Sequence, residues 1–95
     1  MVQVSEAAKR QLKAVLDERK LPPDRFLRLA VPPEWEGEGD FGIVIDGRGG
    51  ADTSVTLDGK TVLVVGPEVG ERIPNSLLDF KKNAPEGPRF TLDVY

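Results

Sequence analysis

Apolar and polar positions follow two different periods along the 95 residues. Ala8, Leu12, Val15 and Leu16 recur at helical spacing and make one apolar stripe, while Lys9, Arg10, Lys13, Asp17 and Glu18 take the other face. Ser5 suits the N-cap, because its hydroxyl can accept a backbone N–H that the first turn leaves without a partner. Glu6 places negative charge at the start of the helix and Arg19 and Lys20 place positive charge at its end, as the helix dipole favours. Pro22 and Pro23 then stop it. The pattern predicts an amphipathic helix packed on a sheet.

Beyond Pro23 the period changes to two. Leu27, Leu29 and Val31 alternate with Phe26, Arg28 and Ala30, and Phe41, Ile43 and Ile45 alternate with Gly42, Val44 and Asp46. The runs 53–57 and 60–65 flank Asp58-Gly59, which predicts a hairpin, because a type I′ turn needs positive φ at both central residues. Gly66-Pro67 and Pro74-Asn75 mark further turns. A short apolar run covers 77–80, and Phe90, Leu92 and Val94 alternate with Thr91, Asp93 and Tyr95 in a closing strand. One N-terminal helix followed by about six short strands predicts an α+β domain, residues 1–95, built as a small β-sandwich of mostly antiparallel strands. Leu12, Val15, Leu16, Leu27, Leu29, Ile43, Ile45, Val62, Val64, Leu78, Phe80, Phe90 and Leu92 are its expected core.

Composition narrows the chemistry sharply. The chain has no cysteine and no histidine. It therefore has no disulfide, no thiol nucleophile and no Ser-His-Asp triad, and it lacks imidazole, the commonest metal ligand. Thirteen basic against sixteen acidic residues give a net charge of −3. That balance lacks the basic stripe a nucleic-acid binder uses to displace counterions. The sequence has no apolar run long enough for a membrane span and no signal-peptide pattern at its start, so the expected compartment is the cytoplasm. Eight prolines, a single methionine and the absence of cysteine give a thermophile-like composition.

Two loops carry candidate chemistry. The segment 32–40 holds Glu34, Glu36, Glu38 and Asp40, with Gly37 and Gly39 between them and the only tryptophan, Trp35, among them. Several carboxylates on a pliant backbone can hold a hard divalent cation, although the spacing is not that of an EF-hand. The same segment can instead be a solvated loop, or a contact surface in which Trp35, Gly37 and Gly39 meet a partner protein. A glycosidase-like pair at Glu36 and Glu38 lacks the aromatic residues that would line a sugar cleft. The segment 46–52 is glycine-rich and carries Arg48, yet it joins two strands and lacks the Lys-Ser/Thr of a phosphate-binding loop. Ser5, Ser54 and Ser76 have no histidine to activate them. Lys81, Lys82 and Arg89 form a small basic patch. No catalytic residue is assigned, and an enzyme is not expected.

The order of these pieces resembles the A-type iron–sulfur cluster carriers, the HesB/IscA-like domain. VSEAAKRQLKAVL resembles that family's opening helix, RFLRLAV its first strand, FGIVID the strand after its loop, and VTLDGKTVLVVGPE its hairpin. LLDF resembles its apolar-Asp-aromatic signature at Leu78, Asp79 and Phe80, and GPRFTLD resembles its closing strand. The resemblance runs over roughly residues 2–94 and implies a helix with a compact sandwich of mixed strands. It also implies three cysteine ligands for iron or a cluster, one in the loop after the first strand and two in a Cys-Gly-Cys tail. Here the loop position falls on Trp35 or Glu36, and the chain ends at Tyr95, about where that tail would begin.

No ligand residue can therefore be carried over, and no cluster or other cofactor is expected to be held. The expected role is an adaptor or interaction module related to iron–sulfur assembly. Its partners would be proteins of that machinery, and self-association is implied by the oligomers common in the family. The alternative is a divergent cation- or small-ligand-binding protein centred on residues 34–40.

Overall fold

The computed structural model describes residues 2–37, 39–47, 49–85 and 87–95. The elements in chain order are β1 (Val2–Val4), α1 (Glu6–Arg19), β2 (Phe26–Ala30), β3 (Gly42–Asp46), β4 (Thr53–Leu57), β5 (Lys60–Val65), α2 (Pro67–Arg72), β6 (Ser76–Lys81) and β7 (Arg89–Val94). They form a three-stranded sheet, β1-β6-β7, and a four-stranded sheet, β3-β2-β5-β4. This is the α+β sandwich that the periodicity predicts, with two additions. β1 precedes the helix and pairs parallel with β6, and the turn expected at Gly66-Pro67 opens the six-residue helix α2.

Local chemistry places the elements. The Ser5 hydroxyl accepts the Ala8 N–H at 3.1 Å and caps α1. At the other end Lys20 turns left-handed, φ 51°, and its N–H closes on the Leu16 carbonyl at 2.9 Å before the prolines. Asp58 and Gly59 have φ of 52° and 79°, so the two-residue turn between β4 and β5 has the positive φ pair that the Asp-Gly signal predicts. The pairs β2–β3, β4–β5 and β6–β7 are antiparallel, and β2–β5 is parallel.

The core lies where α1 meets both sheets. Leu12 and Leu16 from the helix pack with Leu27, Leu29, Leu63 and Val65 of the larger sheet and Leu78 of the smaller one. Ala8, Val31 and Val69 are buried with them, whereas Val15, Ile43, Phe80, Phe90 and Leu92 are only partly buried. Ile45 departs from expectation: it is 45% exposed. It keeps the alternation that puts it on the inner face, but β3 is an edge strand and Ile45 lines an open groove beside α1, which leaves it partly exposed. Among the described residues no helix is long and apolar enough to cross a membrane.

Candidate functional site

The loop that leaves β2 carries the acidic cluster, and the structure spreads its carboxylates. Glu34 turns toward α2, where the guanidinium of Arg72 grips it through both nitrogens: Nη2 donates to Oε1 at 3.1 Å and Nη1 donates to Oε2. This pairing holds the Glu34 carboxyl below its ordinary range, the hydrogen bond from Arg72 being the largest cause. Glu36 and Asp40 are exposed, and Glu38 lies outside the described residues. Among the described residues no three acidic side chains come together as a metal would require.

Trp35 does not project as a free knob. Its amide N–H donates to the Val31 carbonyl at 3.0 Å, and the residue is half-buried. Its six-membered ring lies directly on Gly42, at the start of β3, and also against Gly37. A Cβ at Gly42 would overlap the ring, and one at Gly37 would sit 2.8 Å from Cη2. Gly42 therefore serves as a close-approach surface for the indole. Gly39, with φ 85°, takes a left-handed turn on the exposed side of the loop. The structure thus brings Trp35, Gly37 and Gly42 together, with Glu34 pinned to α2 nearby in sequence.

The second glycine-rich loop is closed by a buried ion pair. Arg28, in the middle of β2, reaches across its sheet face to Asp52: Nη1 donates to Oδ1 at 3.2 Å and Nη2 donates to Oδ2. Arg28 Nη2 also donates to the Gly47 carbonyl at 3.0 Å, and the Gly49 N–H donates to Asp52 Oδ2 at 2.5 Å. The side chains are only 16% and 5% exposed, so each charge depends on the other for solvation. The hydrogen bond that Arg28 donates to Asp52 raises the Arg28 pKa. These contacts give the loop a structural task, and Arg48 lies outside the described residues.

A third cluster joins distant parts of the chain. Ser5 Oγ donates to Asp79 Oδ1 at 2.6 Å, the Phe80 N–H donates to the same oxygen at 2.8 Å, and Lys81 Nζ is 2.9 Å from Oδ2. The Ser5 N–H donates to the Leu78 carbonyl at 2.9 Å. Asp79 is pulled down to about 2 from 3.8, first by the Ser5 hydroxyl, then by Lys81 and the Phe80 amide. The three serines have different surroundings: Ser5 is committed to this cluster, and Ser54 and Ser76 bury their hydroxyls with no hydrogen-bond partner among the described residues.

Sequence reasoning identified Glu34 and Trp35 as noteworthy but missed their partners. The signal for Arg72 was present in a proline at the first helical position with Glu68 after it and Arg72 in the last turn, which together mark a short helix. No comparable signal tied Arg28 to Asp52, because the pairing depends on how the intervening hairpin folds back.

The chain matches no protein-family model and no curated protein. Its fold, however, is shared with solved structures over nearly its whole length. It is similar to Escherichia coli SufA, described as involved in the biosynthesis of iron–sulfur clusters, with 20% identity and a TM-score of 0.65 over 98% of this chain and 84% of that one. It is also similar to IscA, solved with a [2Fe–2S] cluster, with 20% identity and a TM-score of 0.62 over 99% of this chain and 82% of that one. This is the A-type carrier fold in a chain without cysteine.

The donor set does not fit a cluster. Iron–sulfur clusters are held by thiolates, with histidine as the occasional substitute. This chain offers neither. Its loop carboxylates are hard ligands suited to other ions, and one of them, Glu34, is already occupied by Arg72.

Proposed function

We propose that this chain serves iron–sulfur cluster assembly as a protein-binding module that does not itself hold the cluster. One observation carries the reading: a carrier-like fold spans nearly the whole chain, while the loop that the resemblance gives to the first thiolate holds Trp35 and Glu36. The chain has the carrier-like shape without thiolate or imidazole donors, and shape alone serves recognition. Partners of such a module are the cluster-bearing proteins of the assembly machinery, including carriers of the same fold, with which it can form mixed oligomers. Its mixed, mildly acidic charge suits work in the cytoplasm. The cation-binding alternative is not favoured, because Glu34 is engaged by Arg72 and no three-acid group forms among the described residues.

The test uses untagged protein under anaerobic conditions. The chain is mixed with a cluster-loaded A-type carrier and examined by native mass spectrometry. The expected result is a complex whose cluster mass stays with the carrier after gentle dissociation. The chain incubated alone with ferrous iron, sulfide and thiol reductant is expected to develop no cluster absorption in the visible range. A chain that assembles a cluster by itself, or that forms no complex with loaded or empty carriers, overturns the proposal.

A further inference from the structure

The larger sheet ends on one side at β3, whose outer edge pairs with no strand among the described residues. The smaller sheet ends likewise at β7. Between these two open edges lies a groove of about 350 Å³. Phe41, Ile43 and Ile45 form one wall, three alternate residues on a single face of the β3 segment. Leu12, Val15 and Arg19 form the opposite wall, spaced along one stripe of α1. Leu27 and Phe90 complete the apolar lining. The volume lies in the range of ligand-binding clefts.

Exposure is graded along the edge. At its start Gly42 is buried under Trp35, and at its end Ile45 is 45% exposed. Among the described residues Arg19 is the only charged one lining the groove. Its exposed guanidinium makes no ion pair or hydrogen bond among the described residues, unlike Arg28 and Arg72. Asp46, the acidic residue at the end of β3, falls on the opposite face from Ile45, and its carboxylate accepts the Gly47 N–H at 2.7 Å. The groove therefore presents apolar side chains, unpaired strand amides and carbonyls, and one uncompensated positive charge.

We infer that this groove binds an extended peptide segment of a partner protein, which adds as a strand to the free edge of β3. Its alternate apolar side chains fill the space between β3 and α1, and an acidic residue meets Arg19. Strand addition supplies main-chain hydrogen bonds that a bare edge lacks, while the pockets for alternate side chains give selectivity. The charge of Arg19 favours an acidic over a basic segment. The inference rests on the reading of the chain as a protein-binding module and relocates its docking surface from the acidic loop to the groove.

The probe is a fluorescein-labelled, end-blocked peptide of alternating valine and threonine flanked by aspartates, titrated into the full chain by fluorescence anisotropy. Binding is expected, with at least a tenfold loss when the flanking aspartates are replaced by lysines. Arg19→Glu is expected to reverse that order. Methylating alternate backbone nitrogens of the peptide, which keeps every side chain but removes strand donors, is expected to abolish binding. Ile45→Lys, at an exposed position, is expected to weaken it at least tenfold without lowering the thermal midpoint. No binding of the aspartate peptide overturns the inference, as does binding indifferent to N-methylation or to Arg19→Glu. A monomer–dimer equilibrium in light scattering that Ile45→Lys abolishes also overturns it, since a second copy would then be the occupant. If the unaltered chain forms carrier complexes that survive Ile45→Lys, or forms them but never binds the peptide, the groove assignment fails and the module reading stands. If carrier complexes are absent in the unaltered chain, the module reading fails on its own ground.

Discussion

Asp79 sits in the sequence as an ordinary strand residue between Leu78 and Phe80, yet its carboxylate receives the Ser5 hydroxyl, the Phe80 amide and the Lys81 ammonium. Ser5 at the same time caps α1, so one carboxylate fixes the start of the helix against the smaller sheet. The pH consequence has a definite sign. In the folded chain the group titrates at about 2, below its ordinary 3.8. Its contribution is therefore complete above the unfolded value and is lost as pH falls through about 4 toward 2. Urea unfolding between pH 7 and 2 should show a lower midpoint for Asp79→Asn at neutral pH. The gap to the parent chain should narrow toward pH 2. Ser5→Ala removes the cap as well as the hydrogen bond and should cost ~1 kcal/mol at pH 7. A gap that stays constant across the acid range would locate the effect of Asp79 elsewhere than its charge.

At the scale of elements, burial separates two kinds of apolar position that look alike in the sequence. Leu29 and Leu78 are fully buried, while Phe90 is only partly covered and meets Phe80 edge-on at a centroid distance of 5.0 Å. Leu78→Ala should cost about 2–5 kcal/mol, the range for truncating a buried leucine. Phe90→Ala should fall below the roughly 3–5 kcal/mol of a fully buried phenylalanine, because its ring borders the open groove. Chemical denaturation of the two variants gives the comparison, and an equal or larger loss at Phe90 would mean that the groove closes over the ring. The same contrast explains what was legible beforehand. Helix α1 and the β4–β5 hairpin were readable because their signals are local: a cap, a stripe, and an Asp-Gly turn. β1 was not, since its three residues acquire meaning only beside β6, more than seventy positions away in the chain. Helix α2 is too short to display a period, so its proline read as a turn. Ile45 had the right alternation and the wrong neighbours, because periodicity reports a face but cannot report that the strand lies at an edge.

For the molecule as a whole, the resemblance in order and spacing foretold the fold, while the acidic loop foretold less than its composition suggests. Four carboxylates in seven residues look like an ion site only if the backbone turns them inward. Here Glu34 faces Arg72 on α2, and Glu36 and Asp40 face solvent. A divalent cation that recruited Glu34 would have to displace a bidentate guanidinium and gather exposed side chains around itself, with no preformed cage among the described residues to offset the cost. Thiolate chemistry is absent from the chain altogether. Untagged protein purified anaerobically should therefore carry far less than one equivalent of any metal per chain by plasma mass spectrometry. Millimolar calcium, manganese or ferrous ion should leave its thermal midpoint where it is, and Glu36→Gln with Asp40→Asn should change nothing in that comparison. Stoichiometric metal that disappears in the double variant would instead make the loop an ion site, with Arg72 as the latch that an arriving cation opens.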